Sequence, residues 1–279
     1  MREIFNESQL ISELEKIGNN LKRIIKIFMI GGCSMVLRGY KLATKDIDLV
    51  FTSASDLKDF ADTLKDLGFQ EIVKLPKDYE ALGASAVLRD AKGFQFDLFH
   101  RQVCRGLEIT KRMEERAEFY RAFGKLDVYL MAPEDIFLFK SITEREADMI
   151  DMRTLAERRL NWNVIKEECA SQEKRRIWEY FLVYRLEDLK SRFGIEAPII
   201  KELWKIGGDE LVKRVFVEIV KDGNDTFDKI HEAIKKKYRY SESWTRRELK
   251  KLVEKGILKV KREKRRLRYI LRVLNHKTL

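Results

Sequence analysis

Two carboxylates two residues apart inside an apolar run, Asp46-Ile47-Asp48-Leu49-Val50-Phe51, narrow what this chain can become more than any other feature. Alternation along a strand puts residues i and i+2 on one face, so Asp46 and Asp48 stand side by side. Neighbouring anions on a half-buried strand repel each other and are costly to desolvate, so the pair needs compensation. A divalent cation would supply it, and hard oxygen donors suit Mg²⁺ or Mn²⁺. A third acid, Asp97, is set in Phe94-Gln95-Phe96-Asp97-Leu98-Phe99, a strand pattern that could lie beside the first. Three strand-borne acids, with the phosphate-binding turn read upstream of them, predict a two-metal phosphoryl-transfer site in which Asp46, Asp48 and Asp97 are catalytic and metal-binding.

Upstream, the apolar strand pattern Ile24 to Ile30 runs into Gly31-Gly32, and an apolar helical stretch from Cys33 to Leu37 follows. A strand, a glycine pair and a helix start expose backbone N–H groups at a positive helix end, where a phosphate can approach without meeting a Cβ. The same dipeptide also serves ordinary turns.

Together, Gly31-Gly32, a spacer of 13 residues, Asp46-x-Asp48 and the later isolated Asp97 resemble the DNA polymerase β nucleotidyltransferase superfamily. The fuller string from Gly31 to Gly39 and from Thr44 to Leu49 is similar to small stand-alone nucleotidyltransferases, including the AbiEii-type toxins of bacterial and archaeal defence systems. The resemblance spans roughly residues 20–160. It implies that Gly31, Gly32 and Ser34 hold the β- and γ-phosphates of a nucleoside triphosphate, that Asp46 and Asp48 bind metal, and that Asp97 shares the metal that activates an acceptor hydroxyl. Where the family commonly has serine at the second position this chain has Gly32, which moves any hydroxyl contact to Ser34.

A helix opens near Pro133, and Lys140, Glu144, Asp148 and Asp151 follow at spacings that fit one helical face. The AbiEii-type enzymes carry a similar lysine followed by an Arg- and Asp-rich segment, which implies that Lys140 contacts triphosphate with Arg145 and Asp148 nearby. A solvated face with i,i+4 ion pairs is the plainer alternative.

The net charge of +11 is not spread evenly: residues 221–279 hold 20 Lys or Arg and 8 Asp or Glu, against 37 and 38 in the preceding 220. A near-neutral body with a basic tail region suits a polyanionic partner, although a solvated surface has the same composition. Helical apolar spacing over Asp209–Val220, from about Asp225 to Ile234 and from Ser241 to Lys255 precedes a period-two pattern around Leu258, Val260, Leu267, Tyr269 and Leu271. Three helices and a basic hairpin resemble a winged helix-turn-helix domain. By that resemblance Arg246, Arg247 and Lys250 of the third helix and Arg262, Lys264, Arg265 and Arg266 of the hairpin contact nucleic acid, tRNA or duplex DNA. A winged helix used for protein contacts is the alternative.

These patterns predict an α+β protein: a mixed-sheet nucleotidyltransferase core over 1–132, a helical region completing the cleft over 133–207 and a winged helix over 208–279. Strands are expected near 24–30, 47–52, 69–74, 85–91, 94–100 and 125–131, and helices near 8–20 and 55–67. The longest charge-free run, Ile27 to Leu37, is 11 residues, too short to span a bilayer, and Met1 to Phe5 does not read as a secretory signal, so a cytoplasmic location is expected. Cys33, Cys104 and Cys169 are too far apart for a zinc knuckle and read as reduced structural thiols, with Cys33 also a candidate reactive thiol beside the glycine pair. His100, His231 and His276 have no metal-ligand spacing. The expected activity is transfer of a nucleoside monophosphate to a hydroxyl, on nucleic acid such as a tRNA 3′ end, on protein or on a small molecule. A toxin role with an antitoxin partner is compatible with it. The competing class is a DNA-binding regulator that only senses nucleotide.

Overall fold

The computed structural model describes residues 5–73, 83–104, 106–143, 145–172, 178–238, 240–263 and 266–272. Two compact units divide the chain, Met1–Lys174 and Arg175–Leu279. In the first, the elements run α1 (Glu7–Asn20), β1 (Ile25–Met29), α2 (Gly31–Leu37), β2 (Ile47–Phe51), α3 (Ala54–Asp66), β3 (Gln70–Glu71), β4 (Ala86–Arg89) and β5 (Gln95–His100). They continue with β6 (Gln102–Val103), β7 (Leu107–Glu108), α4 (Lys111–Arg116), β8 (Glu118–Phe123), β9 (Leu126–Leu130), α5 (Pro133–Ile142), α6 (Glu146–Ala156) and α7 (Trp162–Ser171).

Seven strands form one mixed sheet in the order β3-β4-β5-β2-β1-β9-β8. β1 runs antiparallel to β2 but parallel to β9, and β2 runs parallel to β5. Alternation sorts the two faces. Ile25, Ile27 and Met29, Ile47, Leu49 and Phe51, Phe96 and Leu98, and Leu126, Val128 and Leu130 join one buried core with Leu10, Leu14 and Ile17 of α1 and Phe60 and Leu64 of α3. Helix α1 starts on a reciprocal cap, with the Asn6 side chain accepting from the Gln9 amide and Gln9 accepting from the Asn6 amide. Residues one step out of phase, Asp48 on β2 and Gln95, Asp97 and Phe99 on β5, therefore lie on the sheet face opposite α1 and α3.

Three local expectations change. The strand anticipated over 69–74 reduces to Gln70–Glu71, with residue 74 outside the described residues. Edge strand β8 escapes sequence patterning because it is almost entirely exposed until Phe123 and so lacks apolar alternation. Lys140, Asp148 and Asp151 do not share one helical face: Thr143 takes an extended conformation that ends α5, and the two acids belong to α6. Glu144 lies outside the described residues.

The second unit comprises α8 (Trp178–Phe193), α9 (Ile200–Lys221), α10 (Phe227–Tyr238), α11 (Glu242–Glu254) and the antiparallel hairpin β10 (Leu258–Glu263) and β11 (Arg266–Leu271). The expected boundary at Gly207-Gly208 is a break within α9: Gly208 has φ +50, so the helix read over Asp209–Val220 is the part beyond that break. A bridge between Thr226 and Arg268, reinforced by Tyr269 N–H donating to the Asp225 carbonyl at 2.7 Å, ties the entry of α10 to the hairpin. Trp204 packs edge-on to Tyr238, Tyr240 and Trp244, and Phe216 meets Trp244, so aromatic contacts hold α9, α10 and α11 together.

Candidate active site

Asp48 and Asp97 are register partners on adjacent parallel strands. Partners in a parallel pair point to the same face, about 4.8 Å apart in backbone spacing. Asp48 is half-buried and Asp97 is 1 % exposed, while Asp46, half-buried, sits one residue ahead of β2. Burial and the charge of Asp46 push the Asp48 carboxyl up to about 6, with Arg145 and Lys140 opposing the rise. The repulsion expected from the Asp-x-Asp spacing is therefore present. Asp97 is held differently: the Gln95 side-chain amide donates to its Oδ1 at 2.7 Å. Among the described residues, no three His, Cys, Asp or Glu side chains are gathered closely enough to hold a metal as they stand. Asp48 and Asp97 thus share a strand pair, with Asp46 just ahead of it, without closing into a ready-made ligand set.

The glycine pair has a role that spacing alone does not reveal. Gly31 opens α2 at φ +61, and a Cβ there would overlap Oδ2 of Asp48; a Cβ on Gly32 would overlap the Thr44 hydroxyl and come 3.9 Å from Lys41 Nζ. Both missing side chains make room first for this chain's own groups, and the Asp48 carboxylate is seated against the positive end of α2. Ile30 N–H also donates to the Asp48 carbonyl at 3.1 Å, fixing strand to helix. Ser34, placed at the phosphates by resemblance, is fully buried, with its hydroxyl unpaired among the described residues. As α2 stands, the hydroxyl is closed off from solvent. Cys33 is buried too, donating to the Ile30 carbonyl at 2.9 Å, and desolvation pushes its thiol well above the ordinary range. Cys33 is thus a small core residue and not the reactive thiol of the alternative reading, because a neutral, enclosed sulfur is a poor nucleophile.

Beside the acids lies a compact set of cations and carboxylates. Lys140, 6 % exposed, donates to Asp148 Oδ1 at 2.9 Å and is 2.7 Å from Asp151 Oδ2. Arg145 pairs with Asp148 at 2.8 Å, and the Thr143 hydroxyl donates to the same carboxylate. Lys41 donates to Asp151 at 2.9 Å. Although burial works against ionisation, Lys140 and Arg145 hold the Asp148 carboxyl down to about 2. Cys104 lies in the same field: burial and the charge of Asp148 push its thiol up to about 12. The geometry thus keeps Lys140, Arg145 and Asp148 together, as the resemblance implies, by packing α5 against α6. Lys41 and Cys104 were missed by sequence reasoning; Lys41 meets Asp151 across 110 positions, beyond any local spacing signal.

In the second unit, Arg246, Arg247 and Lys250 of α11 are exposed, each beside an acid: Glu242 at 2.6 Å, Glu248 at 2.9 Å and Glu254 at 3.8 Å respectively. Arg246 also stacks over Phe227 at 3.9 Å. Arg262 is exposed on β10, and Arg266 opens β11 opposite Glu263. Lys264 and Arg265 lie outside the described residues, as does His276. His231 meets the Thr245 hydroxyl at 3.1 Å and stacks on Phe227, a packing role, and His100 is exposed at the end of β5. No helix among the described residues is long and apolar enough to cross a membrane.

Set against known proteins, residues 6–193 match the model of a family described as "Nucleotidyltransferase of unknown function (DUF6036)", a span of more than half the chain. No curated protein matches.

Proposed function

Because the chain belongs to this nucleotidyltransferase family, we propose that its first unit transfers a nucleoside monophosphate from a nucleoside triphosphate to an acceptor hydroxyl. The observation that carries the reading is the pairing of Asp48 with Asp97 on the sheet face opposite α1 and α3, with Asp48 seated against Gly31 and raised by burial and by Asp46.

A divalent cation, Mg²⁺ or Mn²⁺, fits the donor chemistry of these residues, and the three carboxylates would have to close on it from their present positions. Asp48 is a carboxyl held up by burial and a neighbouring anion, a state that a bound cation relieves, and the donors are all oxygens. Asp46, Asp48 and Asp97 would hold it. When bound, such an ion neutralises phosphate charge and lowers the cost of deprotonating the acceptor. The chain's own contribution is position and charge. The backbone at Gly31 and Gly32 takes the terminal phosphates, with any contact from Ser34 requiring α2 to shift. Arg145, with its side chain 54 % exposed, is the cation a triphosphate meets first, whereas buried Lys140 acts as a fixed charge behind it. The acceptor oxygen bonds to the α-phosphorus, the bond to the β-phosphate oxygen breaks, pyrophosphate leaves and Asp97 takes the hydroxyl proton.

The second unit supports a nucleic-acid acceptor, tRNA or duplex DNA. Three helices, the Thr226–Arg268 bridge and the basic hairpin favour a winged helix reading. Two of its α11 cations, Arg246 and Lys250, are paired with exposed acids, Glu242 and Glu254, and such surface pairs contribute about 0–1 kcal/mol, so phosphate can displace them, whereas Arg247 is held by the buried Glu248. The domain scheme we favour is catalysis in the first unit and polyanion binding in the second.

Incubating the full chain with each α-³²P-labelled triphosphate, Mg²⁺ and separate pools of RNA, DNA and protein tests the activity. Transfer of label by the wild type, lost in Asp48→Asn with melting unchanged, is expected. Absence of transfer from every nucleotide to every pool would return the protein to the nucleotide-sensing alternative.

A further inference from the structure

We infer that Gln95 is a positioning residue, setting the direction of the Asp97 carboxylate through a relay that begins at Arg89. The inference rests on the proposed role of Asp97 in holding a divalent cation.

Arg89 and Gln95 are register partners across β4 and β5, and Gln95 and Asp97 are two apart on β5, on the same face. Both β5 side chains are 1 % exposed. Arg89 Nε donates to Gln95 Oε1 at 3.1 Å, and Nη2 donates to the same oxygen. A guanidinium has donors and no acceptor, so the amide must turn its oxygen toward Arg89. The amide nitrogen is then the end that faces Asp97, which it reaches at 2.7 Å. Flipping the amide would set NH₂ against a cation and oxygen against an anion, two repulsions in a buried site.

At this position glutamate would suit Arg89 but confront Asp97 with a second anion. An apolar residue would leave Oδ1 without this donor. Arginine in direct contact with Asp97 would compete with a metal as counter-ion. The neutral amide orients the carboxylate through its hydrogen bond without bringing a counter-charge that would compete with a cation. Partners of this kind orient metal ligands, and their loss typically costs about 10–100-fold in metal affinity or activity.

Mn²⁺ binding to the full chain, read from the loss of the free-ion electron paramagnetic resonance signal without nucleotide, tests this apart from activity. Gln95→Met should weaken Mn²⁺ binding by about 10–100-fold. It should also lower kcat for labelled-nucleotide transfer while leaving the nucleotide KM close to wild type. Arg89→Lys, which keeps a donor-only cation against Oε1, should leave both measures near wild type. Arg89→Met, at a half-buried position, frees the amide to flip and should reproduce part of the loss, so the inference stays testable if Gln95→Met does not fold. Neither variant should have any effect in an Asp97→Asn background. Wild-type Mn²⁺ affinity in folded Gln95→Met, or in folded Arg89→Met if the former does not fold, overturns the inference alone. A wild-type chain that neither binds Mn²⁺ nor transfers label overturns the functional reading and this inference with it.

Discussion

Replacing Gly31 by alanine tests whether the glycine pair exists to admit Asp48. The new Cβ would overlap Asp48 Oδ2 and lie 3.1 Å from its Cγ, on a backbone at φ +61. Two separable costs follow. An alanine held in the left-handed region costs roughly 1–2 kcal/mol. Displacing a short side chain in a packed junction between α2 and β2 adds about 1–3 kcal/mol of overpacking strain. Gly31→Ala should therefore destabilise the first unit by about 2–5 kcal/mol. In an Asp48→Ala background the overlap with the carboxylate disappears and only the backbone cost of about 1–2 kcal/mol remains. The chain has two compact units, so global unfolding need not be two-state; hydrogen exchange at the β1 and β2 amides reads the relevant opening directly. The four-way cycle should show a coupling of about 1–3 kcal/mol between the two positions. Equal costs for Gly31→Ala in both backgrounds would refute the idea that the missing Cβ makes room for the acid.

Lys140→Met should cost about 3–5 kcal/mol, because it leaves Asp148 and Asp151 buried with fewer cations; chemical denaturation of the same unit checks this, and adding Asp151→Asn should recover part of the loss. Asp135 gives a pH signature: burial outweighs its 2.6 Å pairing with Arg116 and raises its carboxyl to about 6, above the unfolded value. The folded state then holds the proton longer, so stability declines as pH rises from about 4 to about 6, by up to about 3 kcal/mol, and the decline should flatten in Asp135→Asn. In the second unit, Glu242→Gln with Glu254→Gln should strengthen binding of the full chain to tRNA or duplex DNA at low salt, seen by fluorescence anisotropy, whereas unchanged or weaker binding would argue that α11 does not meet phosphate.

What was legible in the sequence followed from periodicity. The strands carrying Ile27, Leu49 and Phe96 are short apolar runs broken by few polar residues, Lys26, Asp48, Gln95 and Asp97 among them, and the helices carrying Leu10 and Phe60 are amphipathic, so element type could be read before any fold was known. β8 and α4 were not, because an exposed edge strand and a short capped turn bury too little to leave a period. The break between Lys140 and Asp148 was hidden for a different reason. Spacing is blind to a single extended residue, and Thr143 offers no glycine or proline to announce one.

The site shows where local reading ends. Asp46 and Asp48 are legible because their cost is local: two anions two residues apart on a strand need an explanation whatever surrounds them. Asp97 is legible as a polar residue in an apolar strand, but its relation to Asp48 depends on β2 and β5 being parallel neighbours in a particular register, which no composition encodes. The meaning of Gly31 inverts once that register is known. From sequence, a glycine at a helix start invites a phosphate; in the fold, its missing Cβ is first required by Asp48, and the acid reaches the positive end of α2. These readings converge. A carboxylate seated at a helix N-terminus, raised by burial and by its neighbour and opposed by Lys140 and Arg145, lies where, on the proposed function, phosphate charge and a counter-ion would be handled together. The glycine, the acids and the cations are therefore one electrostatic unit, and removing the acid should change what the glycine position tolerates.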